Sequence, residues 1–191
     1  MNSRRDAAGL GLMLHKTVVL VGMMGAGKTA VGLALARRLG VPFLDSDAEI
    51  EAAADRSIAE IFERDGEDFF RSRESEVIAR LLDGAPGILS TGGGAYLAEA
   101  NRAMISARGA AVWLRADLEL LWNRVRHKDT RPLLRTANPK QTLAEIMQAR
   151  TPFYEQADLI VDASVDYAIE DAAEAVERAL RARPDVLSEA E

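Results

Sequence analysis

The sequence predicts an α/β fold: a three-layer α/β/α sandwich around a parallel sheet. Three observations lead there. Short apolar, β-branched runs alternate with longer helical patterns along nearly the whole chain. The first such run leads into a glycine-rich loop and then a helix. Acidic residues and a glycine triplet stand directly after the next two runs, where an open α/β sheet binds its ligands.

The elements follow in order. Lys16–Val21 is the first strand, and Thr29–Leu39 a helix with Val31, Leu35 and Leu39 on one face, stopped by Gly40. Val41–Leu44 is the second strand and ends at Asp45. Helical segments cover 48–54 and 58–82, the latter broken near Gly66. Gly87–Thr91 is the third strand, followed by a helix over 95–107 and a fourth strand, Ala110–Leu114. Helices over 117–126 and 141–156 flank a polar segment, 127–140, long enough to be a lid or binding loop. Asp158–Val161 is a fifth short strand and 166–181 a closing helix. Strands separated by helices pair in parallel through right-handed crossovers. One domain is expected over 16–182, with its acceptor-binding region near 46–82, a flexible tail over 1–15 and a frayed one over 183–191.

Composition narrows the functions. The chain has 191 residues, 48% hydrophobic and 28% charged, ordinary for a globular domain. A net charge of −6 argues against nucleic acid and anionic membrane as partners. With no cysteine and two distant histidines, a thiolate or histidine metal centre has no ligands to use. No apolar run reaches a bilayer-spanning length of roughly 18 residues. Cytoplasm is the expected compartment.

GMMGAGKT (Gly22–Thr29) matches G-x-x-x-x-G-K-[ST] between a strand and a helix, the context a phosphate cradle requires. Gly22, Gly25 and Gly27 let the backbone turn its N–H groups onto an anion, as does the loop through Ala26 to Ala30, helped by the helix dipole. Lys28 reaches the β- and γ-phosphates, and Thr29 offers a hydroxyl to Mg2+. A guanine-specific N-K-x-D is missing, and the only D-x-x-G (Asp6–Gly9) precedes the loop. The third strand ends in Ser90, Thr91 and three glycines where a motor ATPase places an acid. A small-molecule kinase fits best.

On the acceptor side, Asp45-Ser46-Asp47 follows the second strand. On extended chain the two carboxylates, i and i+2, point into one cleft, where one can serve Mg2+ and the other an acceptor hydroxyl. Capping of the next helix is the other use of these residues. Gly92–Gly94 remove side chains so that a ligand can approach backbone N–H groups. Arg71 and Arg150 are candidate carboxylate clamps among many solvated arginines. Arg131, in the polar segment, suits a lid that neutralises the transferring phosphoryl group.

Taken together, GMMGAGKT, FLDSD, IAEIFERDGEDFFRSRE, STGGGA, RPLL and ARTPFY, in this order, resemble the shikimate kinase family over about residues 16–182. The resemblance implies the nucleoside monophosphate kinase fold with sheet order 2-3-1-4-5. It also implies ATP-dependent phosphorylation of the shikimate 3-hydroxyl, with Mg2+, by a monomer. It makes Asp47 the base and hydroxyl ligand, and Lys28 and Arg131 the phosphate ligands. Arg71 and Arg150 clamp the carboxylate, Gly93 and Gly94 line the pocket, Phe62 and Phe70 wall the ring, and Glu74 orients Arg71. Asp45 and Thr29 serve the metal, and Arg124 stacks on adenine. The proline that family members often place against adenine has no counterpart in VDASVDYA (Val161–Ala168). Another small P-loop kinase, such as one for gluconate, or a nonenzymatic nucleotide-binding regulator are the competing readings.

Overall fold

The computed structural model describes residues 11–128, 132–164 and 168–190. Its centre is β2 (Thr17–Val21), whose five residues are buried on both faces, as a run of threonine, valine and leucine inside a parallel sheet should be. β4 (Ile88–Ser90) pairs with it on one side, Val18 opposite Ile88, and β5 (Gly109–Arg115) on the other, Val18 opposite Ala110. β3 (Phe43–Asp45) and β6 (Leu159–Asp162) form the edges, so all four pairings are parallel and the order is β3-β4-β2-β5-β6. Counted within this sheet alone, that order is the 2-3-1-4-5 arrangement expected from the resemblance.

Helices cover both faces. α1 (Lys28–Leu39) buries Val31, Leu35 and Leu39 and ends where Gly40 takes a left-handed conformation at φ 65°. α2 (Ser46–Ala54), α3 (Ile58–Asp65) and α4 (Glu67–Leu82) follow β3. Ser57 and Glu60 form a reciprocal capping box at the start of α3, and Gly66 separates α3 from α4 as the sequence suggested. These three helices have a small core of their own in Ile50, Ile61 and Phe70, beside the main core around the sheet. α5 (Glu99–Arg108), α6 (Leu118–Val125), α7 (Pro139–Tyr154) and α8 (Ile169–Arg181) complete the layers.

The ends of the chain depart from the expected loose tails. β1 (Leu12–Leu14) pairs antiparallel with β7 (Leu187–Glu189), Met13 opposite Ser188. Val186 and Leu187 are buried in the main core, and Lys16 bonds Asp185 at 2.9 Å. Three-residue strands carry too little periodicity to be read alone, and their partner lies at the far end of the chain. The expected lid, 127–140, contains a 3-10 turn at Pro132–Leu134 whose Leu134 is buried in the core. Arg131 lies outside the described residues.

Glu177 joins α8 to α1. It is 4% exposed, accepts from Arg38 Nε at 3.0 Å, and accepts from Arg181 at 2.9 and 3.1 Å. Removing a buried partner strands its cations, although here both arginines keep contact with water. Glu177→Ala is expected to lower stability by about 2 kcal/mol, a fall of roughly 4–8 °C in unfolding temperature for a domain of this size. Glu174→Ala, which breaks the exposed pair with Arg178, should move it by about 0.5 kcal/mol or less. Thermal unfolding of the two variants side by side checks the contrast.

Candidate active site

The carboxyl ends of β2, β3 and β4 open onto two adjoining cavities. The larger, about 480 Å3, runs from the glycine loop across Arg124 to Asp162–Ser164 and the start of α8. The smaller, about 180 Å3, lies between α3, α4, α7 and the Pro132–Leu133 turn. Met24, Asp47, Gly92 and Gly93 line both.

In the first cavity, Gly22, Gly25 and Gly27 have φ of 140°, 81° and 96°, a conformation that side chains disfavour. The Lys28 ammonium donates to the carbonyls of Gly22 and Met23, at 2.8 and 3.0 Å, and so stands over the loop. Arg124 donates through Nη1 to the carbonyls of Gly25 and Ala26 at 3.1 and 3.2 Å, tying α6 to the same loop. Ala26 and Ala30 line the cavity as expected. Thr29 Oγ1 donates to Asp45 Oδ2 at 3.2 Å and lies 3.4 Å from Ser90 Oγ.

Asp45 is the last residue of β3 and also the N-cap of α2, its Oδ1 accepting from the N–H groups of Asp47 and Ala48. The capping use is therefore seen, while its other oxygen, Oδ2, faces Thr29 beside the loop. Asp47 is not on extended chain: it sits in the first turn of α2, which corrects the i, i+2 reasoning. It reaches the cleft because the helix start aims its side chain across the end of β4. Its Oδ1 is buried with no hydrogen-bond partner among the described residues. Burial first, and the Asp45 charge second, raise its pKa above the ordinary carboxylate value.

The glycine triplet clears space, and in the structure that space is taken by converging side chains. None of Gly92, Gly93 and Gly94 has positive φ, so backbone conformation does not require glycine. Space does. A Cβ on Gly92 would lie 2.9 Å from Asp47 Oδ1, one on Gly93 3.2 Å from Arg150 Nη1, and one on Gly94 2.5 Å from Arg71 Nη2. Each missing side chain makes room for one functional group. Arg71 is held in turn by Glu74, which accepts from Nη1 at 2.8 Å and is 1% exposed. Burial pushes the Glu74 carboxyl up, and the Arg71 bond opposes that shift.

Phe62 and Phe70 stack at 4.6 Å between ring centroids and line the smaller cavity beside Arg71. The structure thus gathers Asp47, Arg71, Phe62, Phe70, Gly93, Gly94 and Arg150 around one pocket. Lys28, Thr29, Asp45, Gly25, Gly27 and Arg124 surround the other. Sequence reasoning missed Ser90, Lys128, Ala168 and Ile169, which also line the larger cavity. Ile169 is 52% exposed although apolar, an inversion that only the fold reveals.

Because its pKa is raised in the folded state, ionised Asp47 opposes folding as pH rises through that value; the penalty vanishes below about 3.8, where the carboxyl is neutral in both states. Asp47→Asn is therefore expected to unfold at a higher temperature than the parent at pH 8, with the gain disappearing near pH 3.5. Unfolding temperatures across that range check the sign.

Comparisons with known proteins identify the family. The family model described as shikimate kinase matches residues 24–181. A shikimate kinase of Ruegeria pomeroyi is 67% identical over 186 residues, covering 97% of this chain and 95% of that protein. One of Cereibacter sphaeroides is 63% identical, covering 97% and 92%. The solved structure of shikimate kinase from Acinetobacter baumannii in complex with shikimate superposes with a TM-score of 0.82 at 39% identity, covering 87% of this chain and 93% of that one. A pocket that pairs a phosphate-binding loop with converging arginines and a buried aspartate, at this level of identity over nearly the full length, places the chain in the shikimate kinase family.

Proposed function

We propose that the chain transfers the γ-phosphate of ATP to the 3-hydroxyl of shikimate, giving shikimate 3-phosphate and ADP. The observation that carries this reading is the pair of cavities meeting at Asp47, Gly92 and Gly93. One has the phosphate cradle; the other has two arginines facing a buried carboxylate and two aromatic rings. Shikimate has a carboxylate at one end and hydroxyls at the other, which asks for that polarity. Gluconate also carries a carboxylate, but it is an open chain with no ring for Phe62 and Phe70 to flank, so that alternative fits less well.

In this reading ATP lies with its phosphates on the N–H groups of residues 25–30 and on Lys28, which would exchange the loop carbonyls for phosphate oxygens. The adenine lies between Arg124 and the small apolar wall formed by Ala168 and Ile169, in place of the proline often found in the family. Arg71 and Arg150 grip the shikimate carboxylate, and Phe62 and Phe70 flank the ring. Asp47 accepts a hydrogen bond from the 3-hydroxyl, aligning its oxygen with the γ-phosphorus. As the new O–P bond forms and the bond to the β-phosphate oxygen breaks, the hydroxyl proton passes to Asp47. The raised pKa of Asp47 suits an acceptor of that proton.

Thr29, Asp45 and Ser90 form an all-oxygen edge beside the cradle, which fits Mg2+ held by one or two protein oxygens plus phosphates and water. Bound there, the ion would neutralise charge on the β- and γ-phosphates. Arg131 is assigned to the same task on sequence grounds. Expulsion of water by the 132–134 turn over the acceptor would suppress ATP hydrolysis. The chain acts as a cytoplasmic monomer without nucleic-acid partners; its charge of −6 supports the last point, and no described helix is long and apolar enough to cross a membrane.

An ADP-release assay with Mg-ATP and either shikimate or gluconate tests the reaction: turnover with shikimate alone is expected, and equal turnover would overturn the substrate. Asp47→Asn should lower kcat by roughly 10²–10⁴. Arg71→Ala should raise the shikimate KM by about 10–100-fold, the weight of a charge-assisted pair, with little change in the ATP KM.

A further inference from the structure

Glycine triplets are conformationally loose, and ordering one has the largest backbone entropy cost per residue. Each carbonyl of this triplet is nevertheless held. Gly92 accepts from Ala95 N at 3.2 Å and Gly94 from Leu97 N at 3.1 Å, both within the turn that follows. The Gly93 carbonyl is held from a distance, by the Tyr154 hydroxyl at 2.5 Å, across 61 residues of sequence.

Tyr154 is the last residue of α7 and is 1% exposed. Its ring lies 5.9 Å from that of Trp113 on β5. Trp113 in turn packs under the phosphate loop, where a Cβ on Gly22 would lie 3.2 Å from Trp113 Cδ1. Arg150 is one turn earlier on the same helix, with Nη1 3.2 Å from the position of a Cβ on Gly93. A Cβ on Gly93 would also lie 3.7 Å from the Gly22 carbonyl oxygen. Gly93 is thus where the donor loop, the acceptor pocket and α7 come together; Tyr154 bonds it through the hydroxyl and packs its ring on Trp113, which underlies the donor loop. Burial raises the phenol pKa, opposed by Arg150, so the hydroxyl keeps its proton as a donor.

We infer that Tyr154 is a positioning residue for the acceptor: its hydroxyl fixes Gly93 against Arg150 and the phosphate loop, and so sets where the acceptor carboxylate and hydroxyls sit relative to ATP. The inference rests on the acceptor site as read above. It also explains why the C-terminal end of α7 carries both Arg150 and Tyr154. One grips the ligand while the other aligns the wall opposite.

Tyr154→Phe removes only the hydroxyl and keeps the ring packing. Initial rates with shikimate and ATP varied separately, together with thermal unfolding, give the test. The expected result is a shikimate KM raised about five- to tenfold, with the ATP KM changed less than about twofold and the unfolding temperature down by only a few degrees. Equal rises in both KM values, no change in either, or failure of the variant to fold would each overturn the inference, since the hydroxyl would then act on the whole fold or on nothing. Arg71→Ala, measured in parallel, separates the two claims. If Arg71→Ala leaves the shikimate KM unchanged, the acceptor site itself is misread. If it raises that KM while Tyr154→Phe does not, only the bracing role fails.

Discussion

Room at the end of β4 is the constraint on which the rest of the site depends. Asp47 comes from α2, Arg71 from α4 and Arg150 from α7, and each crosses one glycine of the triplet to reach the pocket. A single methyl at Gly94 would overlap the Arg71 guanidinium; at Gly92 it would crowd Asp47. Each of those contacts is with the far end of a flexible side chain, so an added methyl would displace the functional group from the pocket more than it would strain the fold. The sheet supplies the other half of the constraint. β4 is tied to β2 by the Thr91 hydroxyl on the Leu20 carbonyl at 3.0 Å, which keeps the triplet beside the phosphate loop.

The same rim carries a cost in stability. Asp47 Oδ1 and Glu74 Oε1 are both buried without hydrogen-bond partners among the described residues, and both face Gly92. Unpartnered buried carboxylate oxygens disfavour the folded state unless a ligand or proton reaches them. Asp47 is the oxygen that the proposed acceptor hydroxyl would satisfy, which converts a structural liability into binding and orientation. Glu74 does other work: its second oxygen holds Arg71, so the guanidinium keeps its direction before any substrate arrives. The separate small core of Ile50, Ile61 and Phe70 lets α2, α3 and α4 hold these groups as a unit.

On the nucleotide side the protein relies on backbone more than side chains. The loop presents N–H groups and the start of α1, and Lys28 and Arg124 are both anchored on loop carbonyls. Arg124 can therefore present its flat face to a base while its edge braces the loop. In the proposed reading Ala168 and Ile169, which line the same cavity as Arg124, would offer the base an apolar dispersion contact.

What the sequence determined by itself is local. The phosphate loop is eight consecutive residues: its glycines act through their own backbone and its lysine side chain bonds the loop's own carbonyls, so the motif can be read without a distant partner. Strand and helix alternation was legible for the same reason, since periodicity is a property of neighbours; the sheet order and the arginine roles came from the resemblance, which reads several distant motifs together. Tertiary structure decided what required two distant segments at once. It paired three residues at 12–14 with three at 187–189, put Asp47 on a helix rather than a strand, and set Tyr154 on Gly93. It also gave the triplet its reason, because steric room exists only between side chains that converge in space and lie far apart along the chain.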